Sequence, residues 1–126
     1  MPTPANAVYT DSHEWHRLEG NVVTLGITQF AVNELTDITY VEMKAAGATI
    51  KAGDSVGEVE SVKATSDIYS AVGGKIIEVN KALADDPSLV NTDPYGKGWL
   101  IKLEVSDSAP LKNLMDSASY DKKYPA

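Results

Sequence analysis

Val59-Glu60-Ser61-Val62-Lys63-Ala64-Thr65-Ser66-Asp67-Ile68-Tyr69-Ser70 is the stretch from which the rest of the chain is best read. Val56 to Val62 and Thr65 to Val72 both suit strands, because β-branched and aromatic residues fit a pleated, half-buried surface. The short gap between them predicts a hairpin over residues 56–72 with Lys63-Ala64 at its tip. A side chain at that tip points into water with few neighbours. On spacing alone the lysine is an ordinary solvated one, since exposed lysine is the norm.

Working outward, short strands punctuated by glycine predict a mainly β chain, a barrel or sandwich with helical additions. Asn21 to Ile27, Ile38 to Met43 and Ile76 to Val79 read as strands. Thr28 is placed to cap a short helix carrying Phe30, Ala31 and Leu35. Gly47, Gly53-Asp54 and Gly73-Gly74 are turn signals. The clearest alternation is Trp99-Leu100-Ile101-Lys102-Leu103-Glu104-Val105, which puts Trp99, Ile101, Leu103 and Val105 on one face. Asn80 to Tyr95 reads as a loop holding one or two helical turns. Ser108-Ala109-Pro110 opens a C-terminal helical extension over about residues 108–123, with Leu111, Leu114 and Met115 on its apolar stripe.

The 126 residues fit a single domain spanning 1–126, and 43% apolar content is enough for one compact core. A formal net charge of −7, spread along the chain, suits partners with basic docking surfaces and makes nucleic acid or anionic lipid poor matches. With no cysteine, disulfides, thiolate nucleophiles and Cys-based metal sites are excluded. Any sulfur redox chemistry beyond methionine oxidation must come from a cofactor. No apolar run has the length of a membrane span. The start of the chain has no secretory or transit pattern, so a cytoplasmic protein is expected. A mature organellar form with an added Met would read the same way.

Catalysis by the chain itself finds little support. His13-Glu14-Trp15-His16 invites a metal reading, but the zinc-protease pattern needs its two histidines four apart on a helix. Here they are three apart in an extended stretch, which puts them on opposite faces. No nucleophile has a recognisable motif around it, and Gly73-Gly74 lacks the rest of a phosphate loop. No metal site and no catalytic residue is expected.

Glu60-Ser61-Val62-Lys63-Ala64, with Gly74 eleven residues beyond the lysine, resembles the attachment hairpin of the biotinyl/lipoyl domain superfamily. Ala64 and the absence of flanking methionines are unlike biotin attachment, and Val62 stands where acyltransferase lipoyl domains usually carry Asp. The version here, followed by Ser66-Asp67, resembles the glycine cleavage H-protein family. Tyr9-Thr10, His13-Glu14-Trp15, Val23 to Thr28, Asp37-Ile38, Val41-Glu42, Val90-Asn91, Asp93 to Gly96 and Gly98 to Ile101 resemble segments of that family in the same order, from about Val8 to Tyr120. There are departures. Thr36 stands where Gly is usual, Ala45 sits near an expected Pro, Ala71 replaces a Pro, and Gly73 replaces a small polar residue.

The resemblance implies a flattened barrel-sandwich hybrid of two small antiparallel sheets with short helices. It implies a non-catalytic, monomeric carrier with lipoate on Lys63 and with Glu60, Ser61, Val62 and Ala64 forming the recognised hairpin. Its partners would be a pyridoxal-phosphate glycine decarboxylase, an aminomethyltransferase, dihydrolipoamide dehydrogenase and a lipoylating enzyme that reads Glu60. The chain would carry the aminomethyl group from the first to the second and electrons to the third. The alternative is a lipoyl relay protein that donates lipoate to other lipoyl domains. Ser12, Glu14 and Asp67 are the candidates for cradling the loaded arm: alternation puts Asp67, four residues past the lysine, on the same side as Lys63.

Overall fold

The structure, a computed structural model, describes residues 3–124. Its strands are β1 (Val8–Tyr9), β2 (Glu14–Glu19), β3 (Val22–Ile27), β4 (Ile38–Met43), β5 (Thr49–Ile50), β6 (Ser55–Ser61), β7 (Thr65–Tyr69), β8 (Gly74–Val79) and β9 (Ile101–Glu104). Helix α1 (Gln29–Leu35) lies between β3 and β4, α2 (Ala82–Asp85) and α3 (Leu89–Thr92) lie between β8 and β9, and α4 (Ser117–Lys123) ends the chain. The strands form two open antiparallel sheets. One is six-stranded in the order β1-β2-β3-β9-β8-β5, and the other is three-stranded in the order β4-β6-β7. The mainly β, two-sheet expectation is met, and neither sheet closes into a barrel. No helix among the described residues is long and apolar enough to cross a membrane.

Both sheets contribute to one apolar cluster. Val23, Leu25 and Ile27 from β3, Ile76 from β8 and Leu103 from β9 pack in it with Ile38, Val56, Val59 and Ile68 from the smaller sheet. Central strand β3 is buried on both faces; even Thr24 is 3% exposed. A second cluster gathers Ala7, Tyr9, Trp15 and Tyr120, flanked by Phe30, Tyr95, Trp99, Met115 and Tyr124. It fastens α4 to the six-stranded sheet. Trp15 Nε1 donates to the Pro94 carbonyl at 3.0 Å, and the indole lies against Gly26, where a Cβ would meet the ring at 2.6 Å.

Two expectations about sequence pattern need adjusting. Strand β9 starts at Ile101, so the alternation read from Trp99 does not extend that far: Leu100 is fully buried and Trp99 is half-buried in the second cluster. The C-terminal extension is not one helix. A 3-10 turn over Ala109–Asn113 ends, Met115 forms a β-bridge with Tyr9, and α4 starts afresh behind Asp116, whose side chain accepts from Ser119 N–H. The edge strand offers Met115 backbone partners that a continuous helix would forgo.

Thr28 caps α1 as read, its hydroxyl accepting from Ala31 N–H, and the helix ends on Thr36 at φ 65° and ψ −139°. A β-branched residue at positive φ is strained on the order of 1–3 kcal/mol. This gives a physical reason for glycine being usual there. Thr36→Gly is expected to raise the unfolding free energy by about 1 kcal/mol, the relieved strain exceeding the entropy that glycine costs. Urea unfolding at fixed m-value checks it; an unchanged or lower midpoint would mean that Thr36 is not strained.

Candidate functional site

The hairpin of β6 and β7 is built to present its tip. Val59 and Ile68 bury their side chains in the core, while Glu58, Glu60 and Asp67 alternate outward. At the tip, Ser61 N–H donates to the Ala64 carbonyl at 2.8 Å, and the Ser61 hydroxyl accepts from the N–H groups of Lys63 (3.1 Å) and Ala64 (3.0 Å). Val62 N–H donates to the Asp37 carbonyl, which ties the tip to the turn after α1. Ser61 therefore fixes the backbone of a tip whose three residues, Val62, Lys63 and Ala64, are all exposed. The Lys63 side chain lies over the C-terminal end of α1, with Nζ 3.3 Å from the Glu34 carbonyl oxygen. Acylating that amine would cost one exposed hydrogen bond and no packing, so the residue fits an amide-linked arm. The paired strands stop at Tyr69, and Ser70 to Gly73 form a turn, so the hairpin is shorter than 56–72.

At the other end of the hairpin, strand β2 reaches across from the larger sheet. Glu14 Oε2 accepts from Tyr69 N–H at 3.3 Å, and His16 Nε2 accepts from Ala71 N–H at 3.1 Å. These two buried side chains, two apart on one face of β2, satisfy two backbone donors two apart on the hairpin stem. They do side-chain work where no strand pairing exists. The other Glu14 oxygen accepts from the Thr10 and Ser12 hydroxyls. Burial pushes the Glu14 carboxyl up, opposed by those hydrogen bonds, and pushes His16 down to about 4.

The structure brings Ser12 and Glu14 into contact but leaves Asp67 apart from them. Asp67 is exposed, and its carboxylate makes no hydrogen bond among the described residues. It sits opposite Glu58, which sits opposite Glu42, so three carboxylates line up across the outer face of the smaller sheet. Tyr40 and Glu60 form the adjoining row. Like charges directly opposite are destabilising, so this face is formed at some cost to stability. His13 and His16 do not converge. His13 precedes β2 at φ 72°, its Nδ1 2.8 Å from the Tyr120 hydroxyl, and no group of three metal-ligating side chains occurs among the described residues. In the sequence, His16 stands out as a candidate metal ligand and as one of the two histidines open to a catalytic arrangement. Its role as a stem clamp carries no local signal beyond being polar on a strand whose neighbours are buried.

The model of the family described as Glycine cleavage H-protein matches residues 7–125. A glycine cleavage system H protein of Carboxydothermus hydrogenoformans is 49% identical over 119 residues, covering 94% of this chain and 92% of that protein. The mitochondrial glycine cleavage system H protein 2 of Arabidopsis thaliana is 52% identical over 114 residues, covering 90% of this chain and 73% of that protein. Among solved structures, a glycine cleavage system H protein from Mycobacterium marinum superposes with a TM-score of 0.87 at 38% identity, covering 96% of this chain and 98% of that chain. With the rigid lysine-tipped hairpin in place and matches spanning nearly its whole length, the chain belongs to the glycine cleavage H-protein family.

Proposed function

We propose that the protein is the lipoyl carrier of a glycine cleavage system, with lipoate in amide linkage to Lys63. It would take the aminomethyl group from the decarboxylase to the aminomethyltransferase and then present its reduced arm to dihydrolipoamide dehydrogenase. The observation that carries this reading is an exposed lysine whose backbone is immobilised by Ser61 while its amine has one weak, exposed partner. Lipoate, when bound, supplies the dithiol chemistry that a chain without cysteine lacks. The chain's own contribution is positioning. A stiff tip fixes where the tether starts, and a tethered group is confined at effective concentrations on the order of millimolar. Glu60, half-buried on β6, would be the acidic handle for the lipoylating enzyme. The carboxylate rows of the smaller sheet suit basic docking surfaces on the partners. The relay role would use the same hairpin.

The test is to express the protein with and without lipoate, then combine intact mass with peptide mapping. One lipoyl amide confined to the Lys63 peptide is the expected result. Attachment at Lys75 or Lys81, or none in the presence of an active lipoylating enzyme, would defeat the reading.

For the resting place of the loaded arm, we infer that Ser12, Glu14 and Asp67 act as a cradle. Asp67 offers an uncommitted carboxylate two residues before the Tyr69 N–H held by Glu14. The Ser12 hydroxyl, on an exposed residue, can rotate away and yield its Glu14 oxygen to a protonated amine. A carboxylate–ammonium bond is worth more when partly desolvated than in open water. Asp67→Asn and Glu14→Ala are each expected to shorten the half-life of the carried aminomethyl group severalfold in isolated, folded protein, measured as ammonia and formaldehyde release. Parental half-lives in both would leave Glu14 as a purely structural clamp.

A further inference from the structure

Residues 62–64 of the lysine tip make two hydrogen bonds to the fold outside their own hairpin, among the described residues. Lys63 Nζ meets the Glu34 carbonyl, and Val62 N–H donates to the Asp37 carbonyl at 3.1 Å. Acylation of the amine gives up the first, which leaves the Asp37 carbonyl as the anchor from which the arm departs. Asp37 itself is exposed and lies between the end of α1 and the start of β4. Strand pairing holds it poorly, because the β4–β6 register shifts between Ile38 and Tyr40. One side chain from α3 holds it instead. Asn91 Oδ1 accepts from Ile38 N–H at 2.9 Å, and Asn91 Nδ2 donates to the Thr36 carbonyl at 2.7 Å. The Ile38 N–H and the Asp37 carbonyl belong to one planar trans peptide and point in opposite directions. That peptide therefore links Asn91 on one side to Val62 on the other. The second bond restrains Thr36, whose positive φ persists only where its surroundings enforce it. Asn91 is in turn fixed by its neighbour Val90, which is fully buried in the core.

We propose, on the reading that Lys63 carries the arm, that Asn91 is a positioning residue for the carrier reaction. Through the Asp37–Ile38 peptide it sets the direction in which Lys63 leaves the fold. An asparagine amide suits the task because it presents one acceptor and two donors in a single plane, enough to hold an N–H and a carbonyl at once. A tip freed from this support still reaches a partner, but its ordering at each docking opposes binding. A loss of that kind acts equally on the bound and reacting states, so it raises KM and leaves kcat in place.

The test uses the full chain made without lipoate, in the parent, in Asn91→Ala and in Asn91→Asp. Alanine removes both bonds; aspartate keeps the size and the acceptor for Ile38 N–H but sets an oxygen against the Thr36 carbonyl, and it serves where alanine does not fold. Two quantities are measured: hydrogen exchange at the Val62 amide, and the kinetics of lipoylation at Lys63 by a purified ligase with lipoate and ATP. Each variant is expected to exchange Val62 N–H about fivefold faster and to raise the KM for the acceptor protein about fivefold, the scale of one hydrogen bond, with kcat unchanged. Leu111→Ala, a core truncation on the 3-10 turn, controls for lost stability and should leave KM alone. Parental exchange at Val62, a parental KM in the variants, a fall in kcat without a rise in KM, or an equal rise in Leu111→Ala would each overturn the proposal. A parent that takes no lipoate at Lys63 would defeat the carrier reading and the proposal together, whereas a normally lipoylated parent with indistinguishable variants would defeat the proposal alone.

Discussion

Lys63→Arg is expected to leave the protein folded and to abolish its support of glycine cleavage. Arginine keeps the positive charge and the exposure of the tip, and the hydrogen bond lost from Lys63 Nζ to the Glu34 carbonyl is a solvent-exposed one. Surface changes of this kind usually stay within about 0.5 kcal/mol. The backbone of the tip depends on Ser61, whose hydroxyl holds main-chain N–H groups and is indifferent to the side chain at 63. A guanidinium, by contrast, is always protonated and offers no free amine to acylate. The assay is reconstituted glycine cleavage with the partner enzymes, alongside the unfolding midpoint. Activity should fall to background with the midpoint unmoved. If appreciable activity survives, the working arm sits on another lysine, and the rigid tip has a different purpose.

Acid is expected to destabilise the protein through His16. Burial holds its folded-state pKa at about 4, against 6.5 for an unburied histidine. A depressed pKa contributes stability that is present above the unfolded value and lost as pH falls through the folded one, because the unfolded chain takes up a proton that the folded chain refuses. Integrated from pH 6.5 down to about 4, the loss is on the order of 3 kcal/mol, a large share of a small domain's stability. Glu14 acts in the opposite sense. Its folded-state pKa is raised, so its contribution is full below the ordinary carboxyl value and lost as pH rises through the folded one. Comparison with His16→Gln separates the two, since glutamine can still accept from Ala71 N–H but does not titrate. Urea unfolding across that interval should show the parent losing about 3 kcal/mol more than the variant. Parallel curves would mean that His16 does not control the acid limb. Because His16 and Glu14 hold the stem of the lysine hairpin, the same titration should loosen the element that presents the arm.

Much of the fold was legible in the chain because its signals are local. Alternation of Val59, Ile68 and their neighbours, together with turn residues, fixes strands and the hairpin tip within a few positions. Thr28 reads as a cap because its hydroxyl serves an N–H three residues away. Where alternation misled, at Trp99 and Leu100, the chain had not yet entered the strand. There tertiary burial, and not strand periodicity, decides which side chain is inside. The break at Met115 was equally invisible, because the edge strand at Tyr9 that claims its backbone lies 106 residues away in sequence.

The lysine-bearing tip was determined by the sequence alone, since the turn of a two-strand hairpin is set by residues adjacent in the chain. The Asp37 and Glu34 carbonyls that meet Val62 and Lys63 were supplied by the tertiary structure. The clamp on the hairpin stem was decided by the tertiary structure alone. Glu14 and His16 each meet their hairpin donor across 55 residues of chain. Nothing near Glu14 says that one oxygen will take the Tyr69 N–H, and nothing near His16 says that one nitrogen will take the Ala71 N–H. Such pairings arise when two sheets close over a shared core and strand polar groups between them. Each stranded group must then be satisfied by whatever the far side of the fold provides.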